Sequence, residues 1–217
     1  MHRDFPALVT GALRVAGISP RADPSAHIDA LHAVAAGRLD TGPESSFPEI
    51  VAWRQAFSLM GLKPTQYRCA SEALLRRFRK ERSLPSIHPL VDLCNAVSMA
   101  FAIPIAVIDV AHVAGDLQVR RATGQENYLA FNGSVEHPEP EEVIFADDAG
   151  QAHARRWTNR QSATSAVQVS TRDVFIVAEA LHDGARQDMA RLMETLRSAV
   201  TATWPQAAIA DVTITDG

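Results

Sequence analysis

The chain has 217 residues, 47% of them hydrophobic, and a formal charge of -4. That length buries a sizeable core without staples, and the two cysteines, Cys69 and Cys94, form no C-x-x-C pair, which speaks against a disulfide scaffold or a cysteine-rich zinc site. The N-terminal stretch is too broken by Asp4, Pro6, Arg14 and Pro20 for a secretory signal, and no run reaches the roughly 18 apolar residues of a membrane span, so a cytoplasmic protein with no membrane partner is expected.

In chain order, the pattern predicts helices over Pro6 to Ala16 and Pro24 to Ala36, then a turn-rich break at Gly42 to Ser46 and a helix over Pro48 to Gly61. His27 and His32 lie five residues apart, a poor match to two ligands on one helical face. A loop, Lys63 to Arg68, leads to Ser71 as N-cap of a helix over Ser71 to Glu81. That helix carries Arg76, Arg77, Arg79 and Lys80, either a solvated face or a set of phosphate contacts.

The central stretch runs from Leu84 to Asp109. Pro89 suits the first turn of a helix, and Ile103-Pro104 ends the helical run. Leu93, Val97, Ala100 and Phe101 fall on one face, and Asp92, Asn95, Ala96 and Met99 on the other. In so apolar a helix, Asp92 and Asn95 must bond to neighbouring backbone or line a cleft. A buried strand is expected over Ile103 to Asp109.

From Gly115 the chain turns to strands. Asp116 to Arg121 alternates, Asn132-Gly133 signals a hairpin, and Val143 to Ala146 reads as an apolar strand. In a strand over Gln151 to Trp157, His153, Arg155 and Trp157 share one face. Thr158 to Ser170 reads as a long loop placed to close over a site, Val174 to Ala178 as a core strand, and Ala185 to Thr201 as an amphipathic helix. Val212 and Ile214 suggest a last strand.

No Walker loop, G-x-G-x-x-G, H-E-x-x-H or G-x-S-x-G is present, so no cofactor and no metal is expected. The polar groups set among apolar neighbours are Asp92, Asn95, Tyr67, Arg68, Arg155, Trp157, Asn159, Arg160, Gln161 and Ser162. Arginine beside tryptophan is either an anion clamp with a stacking platform or a packed surface corner.

The ordered segments SEALLRR, LPSIHPLVDLCNAVS, IPIAVID, GDLQVRRA, EEVIFADDAGQAHARRWTNRQS and TRDVFIVAEAL resemble the B3/B4 domain of the bacterial phenylalanyl-tRNA synthetase beta subunit, and still more the free-standing B3/B4 proteins related to it. The similarity runs from about Gln66 to Leu181. It implies an α+β fold with a B3/B4-like core of mixed and antiparallel sheets and packed helices, and the flanking helical patterns, which lie outside the similarity, add N-terminal helices and a C-terminal helix. Residues 1–62 would be a helical extension and 63–217 the tRNA-editing-type domain, together one globular unit.

In the synthetase this domain hydrolyses the ester of tRNA mischarged with tyrosine, and the resemblance implies a metal-independent, stand-alone hydrolase of mischarged aminoacyl-tRNA. Asn95 matches the pocket asparagine and would position water or substrate. Arg155 and Arg160 would hold phosphate or carboxylate and Trp157 would stack. Tyr67, Arg68, Asp92, Asn159, Gln161 and Ser162 would complete the substrate site, and Arg76, Arg77, Arg79 and Lys80 would bind the tRNA. Two departures bear on substrate: Ala106 stands where the synthetase strand commonly carries histidine, and bulkier residues replace a glycine-rich segment around Asn159 to Ser162. The rival readings are a tRNA- or RNA-binding module without turnover and an amino-acid-binding protein.

Overall fold

The structure, a computed structural model, describes residues 1 and 3–212. It is an α+β fold in which two four-stranded antiparallel sheets pack against five helices. The first sheet has the order β10-β1-β9-β2, from β1 (Val9–Ala16), β2 (Ile105–Asp109), β9 (Asp173–Ala180) and β10 (Ala208–Asp211). The second has the order β3-β6-β7-β8, from β3 (Gln118–Arg121), β6 (Val143–Ala146), β7 (Ala152–Arg155) and β8 (Arg160–Gln161). A hairpin of β4 (Tyr128–Leu129) and β5 (Val135–Glu136) turns at Asn132-Gly133, where Gly133 has a φ of 85° and Asn132 Oδ1 accepts from the Ser134 amide.

The helices are α1 (Ser25–Thr41), α2 (Pro48–Leu59), α3 (Ala70–Glu81), α4 (Pro89–Phe101) and α5 (Ala185–Thr203). Pro89 opens α4, where a missing amide proton costs nothing, and the His88 ring accepts from the Leu90 amide. Asp92 reaches back to accept from the Ile87 amide and the Ser86 hydroxyl, so the local-bonding alternative holds for it, and it is not a cleft residue. Ala102, at a φ of 56°, stops the helix before Pro104.

Two cores meet at the first sheet. On β9, Val174, Ile176, Ala178 and Ala180 face one core with Leu93 and Val97 of α4 and Leu192 and Leu196 of α5. Phe175, Val177 and Leu181 point the other way, towards Trp53, Phe57, Phe145 and Trp157. Glu179 shares that second face, because side chains alternate along a strand. A sheet covered on both faces loses the apolar-polar alternation that marks a half-exposed strand.

Several expectations are corrected. Pro6 to Ala16 is no helix: β1 pairs along its whole length with β9 and, from Leu13, with β10. Two-sided pairing overrides whatever helical spacing the segment has, and Val9, Thr10 and Gly11 are weak helix formers. Gly11 also lets α5 approach, since a Cβ there would lie 2.7 Å from Met193 Sδ. The first 62 residues are therefore not a purely helical extension, for their strand sits inside the main sheet. Ser71 is not an N-cap: Cys69 holds that position, and the buried Ser71 hydroxyl donates to the Ala102 carbonyl. The last strand ends at Asp211, with Val212 beyond it and Ile214 outside the described residues.

Candidate functional site

The strand expected over Gln151 to Trp157 stops at Arg155, because Arg156 and Trp157 take left-handed backbone angles, φ 47° and 58°. Such angles are costly for side chains of this size and natural for glycine. The Trp157 amide donates to the Val143 carbonyl, and the chain then turns back as β8 beside β7. Thr158 to Ser170 is thus no free loop, since it carries β8 and donates hydrogen bonds to β2, to β4 and to the loop at Arg68.

This turn forms one wall of an inner cavity of about 60 Å³ between the two sheets. Ile105 and Ala106 of β2 and Val177 and Glu179 of β9 contribute from the first sheet, and Phe145 and Ala154 from the second. Thr158 to Gln161 close one side, and Ala70, the first residue of α3, another. An outer, open basin of about 440 Å³ lies beside it, lined by Tyr128, Ala130, Phe131 and Asn132, and the two hollows share Arg160 and Gln161.

Two residues of the lining, Thr158 and Glu179, carry buried polar groups with few partners. Thr158 Oγ1 is buried and makes no hydrogen bond among the described residues. Glu179 is 3% exposed and receives one hydrogen bond there, from Trp157 Nε1 to Oε2 at 2.8 Å. Burial pushes the Glu179 carboxyl up to about 8 against the opposing pull of the indole donor, so it is largely protonated at neutral pH.

The expected site residues divide around this geometry. Asn159, Arg160 and Gln161 reach the inner cavity, but their polar ends are engaged. Asn159 donates to the Arg68 carbonyl, Gln161 to the Val107 carbonyl, and Arg160 to both oxygens of Glu136. Arg155 is not an open anion clamp: its side chain is 5% exposed and donates to Glu142 and Glu136, whose carboxylates already supply the anion. Burial pushes the Glu142 carboxyl up, and Arg155 together with the amides of Arg156 and Glu139 more than reverses that, leaving it below the usual range.

Trp157 is not a stacking platform, because it is 0% exposed and held edge-on by Trp53 and Phe5, each at 4.9 Å. Ser162 is buried and donates to the Leu129 carbonyl. Tyr67 lies under the Arg156 guanidinium at 4.8 Å, and Arg68 donates to the Thr65 carbonyl beside Glu72. Asn95 is half-buried on α4 and lines neither hollow. Arg76, Arg77, Arg79 and Lys80 are exposed on α3, with Arg77 paired to Glu81 and Arg79 to Glu44.

Sequence reasoning missed Thr158, Glu179 and Phe131. A glutamate inside the apolar run VFIVAEAL was the available signal for Glu179, and the hairpin position for Phe131, which is 73% exposed.

Known proteins resemble this chain over the same region. A family model described as B3/4 domain matches residues 52–202. The phenylalanine–tRNA ligase beta subunit of Shewanella oneidensis is 30% identical over 88 residues, 41% of this chain and 11% of that protein. The same subunit from Bartonella quintana is 27% identical over 113 residues, 52% of this chain and 13% of that protein. The chain thus spans about a tenth of the length of these relatives. An N-terminal fragment of the phenylalanyl-tRNA synthetase beta subunit from Pyrococcus horikoshii superposes with a TM-score of 0.45 at 12% identity, over 56% of this chain and 41% of that one. Among the described residues no helix is long and apolar enough to cross a membrane.

Proposed function

Because the chain belongs to the B3/4 domain family, we propose that it hydrolyses the ester of mischarged aminoacyl-tRNA, with the acyl group in the inner cavity and the terminal nucleoside in the outer basin. The observation that carries this reading is the pair of hollows meeting at Arg160 and Gln161, one small and one large, as an amino acid joined to a nucleoside requires. The exposed Phe131 ring, in place of the buried Trp157, offers a face on which a base can stack.

The chemistry asks little of the protein. Water adds to the ester carbonyl carbon, the bond to the ribose oxygen breaks, and that oxygen leaves with a proton as the free hydroxyl. An aminoacyl ester is already activated, so positioning and stabilisation of the developing oxyanion suffice. The positive end of α3 abuts the cavity through Ala70 and favours that charge. Glu179, protonated at neutral pH, acts as a hydrogen-bond donor and not as a base.

Phosphates would run along α3. Arg77 lies on the same face as Ala70 and about 10 Å further along the axis, and Arg76 and Lys80 have no ion pair among the described residues. Both hydrolysis and tRNA binding are read by one experiment: deacylation of a panel of mischarged tRNAs at increasing salt. Cleavage that weakens with salt is expected, as counterions compete for the cations. A protein that binds tRNA and cleaves none of the panel would be the RNA-binding module, a second reading that Ala106, lacking any proton-transfer group, favours. Salt-insensitive affinity for free amino acids alone would mark an amino-acid-binding protein.

A further inference from the structure

The ester junction of an aminoacyl-tRNA would lie where the two hollows meet, and Gln161 borders both of them. The residue is pinned from two sides. Its Nε2 donates to the Val107 carbonyl of β2 at 2.7 Å, and its main-chain carbonyl accepts from the Tyr128 hydroxyl at 2.7 Å. A carbonyl can only accept, so the NH2 half of the amide must face Val107, and Oε1 is the half left over.

That oxygen accepts no hydrogen bond among the described residues, and it is not sealed from solvent as Thr158 Oγ1 is. It therefore opens on the hollows that Gln161 borders. Asn159 repeats the arrangement at the inner cavity, where Nδ2 donates to the Arg68 carbonyl at 2.7 Å and Oδ1 stays open. Arg160, between them in sequence, spends its guanidinium on both oxygens of Glu136. What the junction offers a ligand is thus a pair of fixed acceptors, and these call for a donor.

In an aminoacyl ester the carbon next to the ester carbonyl carries the amino group, which stays at the junction whatever the side chain. As an ammonium it is a charge-assisted donor, whereas an acylated nitrogen keeps one neutral N–H and gains bulk. We propose that Gln161 Oε1, seconded by Asn159 Oδ1, binds this free α-amino group, so that the protein takes aminoacyl esters and leaves N-acylated ones, peptidyl esters included. This rests on the hydrolase reading for turnover, though not for binding. The two polarities fit one substrate: the positive end of α3 at Ala70 suits the carbonyl oxygen, and the amide oxygens suit the ammonium.

Two measurements test this. The first compares binding of the non-hydrolysable 3′-alanylamino, 3′-propionylamino and 3′-(N-acetylalanyl)amino adenosines, of which the propionyl compound has the alanyl shape without its nitrogen. The alanyl compound is expected to bind about 10–100-fold more tightly than either of the others. Gln161→Met, which lacks the oxygen, should cut that preference about 10-fold, and Gln161→Glu, which keeps an acceptor, should retain it. The second compares deacylation of the mischarged panel before and after acetylation of the amino group, each rate taken relative to that ester's own rate in buffer. Acetylation should lower the acceleration at least about 10-fold. An alanyl preference with no turnover would retain the amine contact and sink the hydrolase. Equal acceleration of free and acetylated esters would retain the hydrolase and overturn the amine contact. Equal or tighter binding of the propionyl compound, binding of none of the three, or a preference that survives in Gln161→Met or is lost in Gln161→Glu, would also overturn it.

Discussion

Two polar clusters stand on either side of the Arg156-Trp157 turn, and they have opposite fates. Around Arg155, every charge is answered: Glu142 and Glu136 take its guanidinium, and Arg160 takes the rest of Glu136. Around Glu179, one indole donor meets a buried carboxyl, and the neighbouring Thr158 hydroxyl meets nothing among the described residues. The comparison teaches that a charged, motif-like run can be wholly structural, so a candidate site is better sought where a cavity holds polar groups with few partners.

Breaking the closed cluster should cost the most stability. Arg155→Met leaves the Glu142 carboxylate, 7% exposed, without its partner, and a loss of about 3–5 kcal/mol is expected in urea unfolding. Arg160→Met removes a pair whose members are 37% and 30% exposed, and a loss below about 1 kcal/mol is expected.

The open cluster should announce itself through pH. Glu179 holds its proton up to about pH 8 in the folded chain, against about 4.3 when unfolded. The unfolded state therefore binds fewer protons between those values, so this group's contribution is complete below about pH 4.3 and is lost as pH rises through about 8. Relative to Glu179→Gln, wild-type stability should fall by at most about 1.4 kcal/mol per pH unit across that window. A pH-independent difference between the two would show that the carboxyl is ionised throughout. Trp157→Phe removes the indole donor to this carboxyl and should destabilise by about 1–3 kcal/mol.

What was legible in the sequence follows the same division. Helix α4 was readable because its signals are local: proline at its first position, Asp92 in its first turn and a proline two residues past its cap. The resemblance drew attention to Ala106, which does line the inner cavity. Strand β1 was not readable, because its pairing partners lie more than 150 residues away in sequence. Trp157 and Arg155 looked like a binding face only because the strand seemed to continue; left-handed angles at two bulky residues have no local signature. Ser162 and Gln161 likewise donate to carbonyls of other elements, which spacing cannot reveal.

The smallest stability effects sharpen the comparison at the outer basin. Phe131→Ala, on a ring 73% exposed, should change stability by no more than about 0.5 kcal/mol, and it should weaken binding of the tRNA terminus by about 1–3 kcal/mol if a base stacks there. Asn95→Ala, lining neither hollow, should leave the affinity for aminoacyl adenosine analogues within about twofold of wild type.

The central claim is ester hydrolysis inside the inner cavity, and single-turnover deacylation of the panel of mischarged tRNAs by wild type and by Ala106→Leu tests it most directly. The added carbons of the leucine would occupy the cavity, so cleavage by wild type and its loss in the variant, with melting temperature and tRNA affinity retained, is the predicted result. A wild-type rate equal to that of buffer on every member of the panel, or a folded variant that cleaves as fast as wild type, would contradict it.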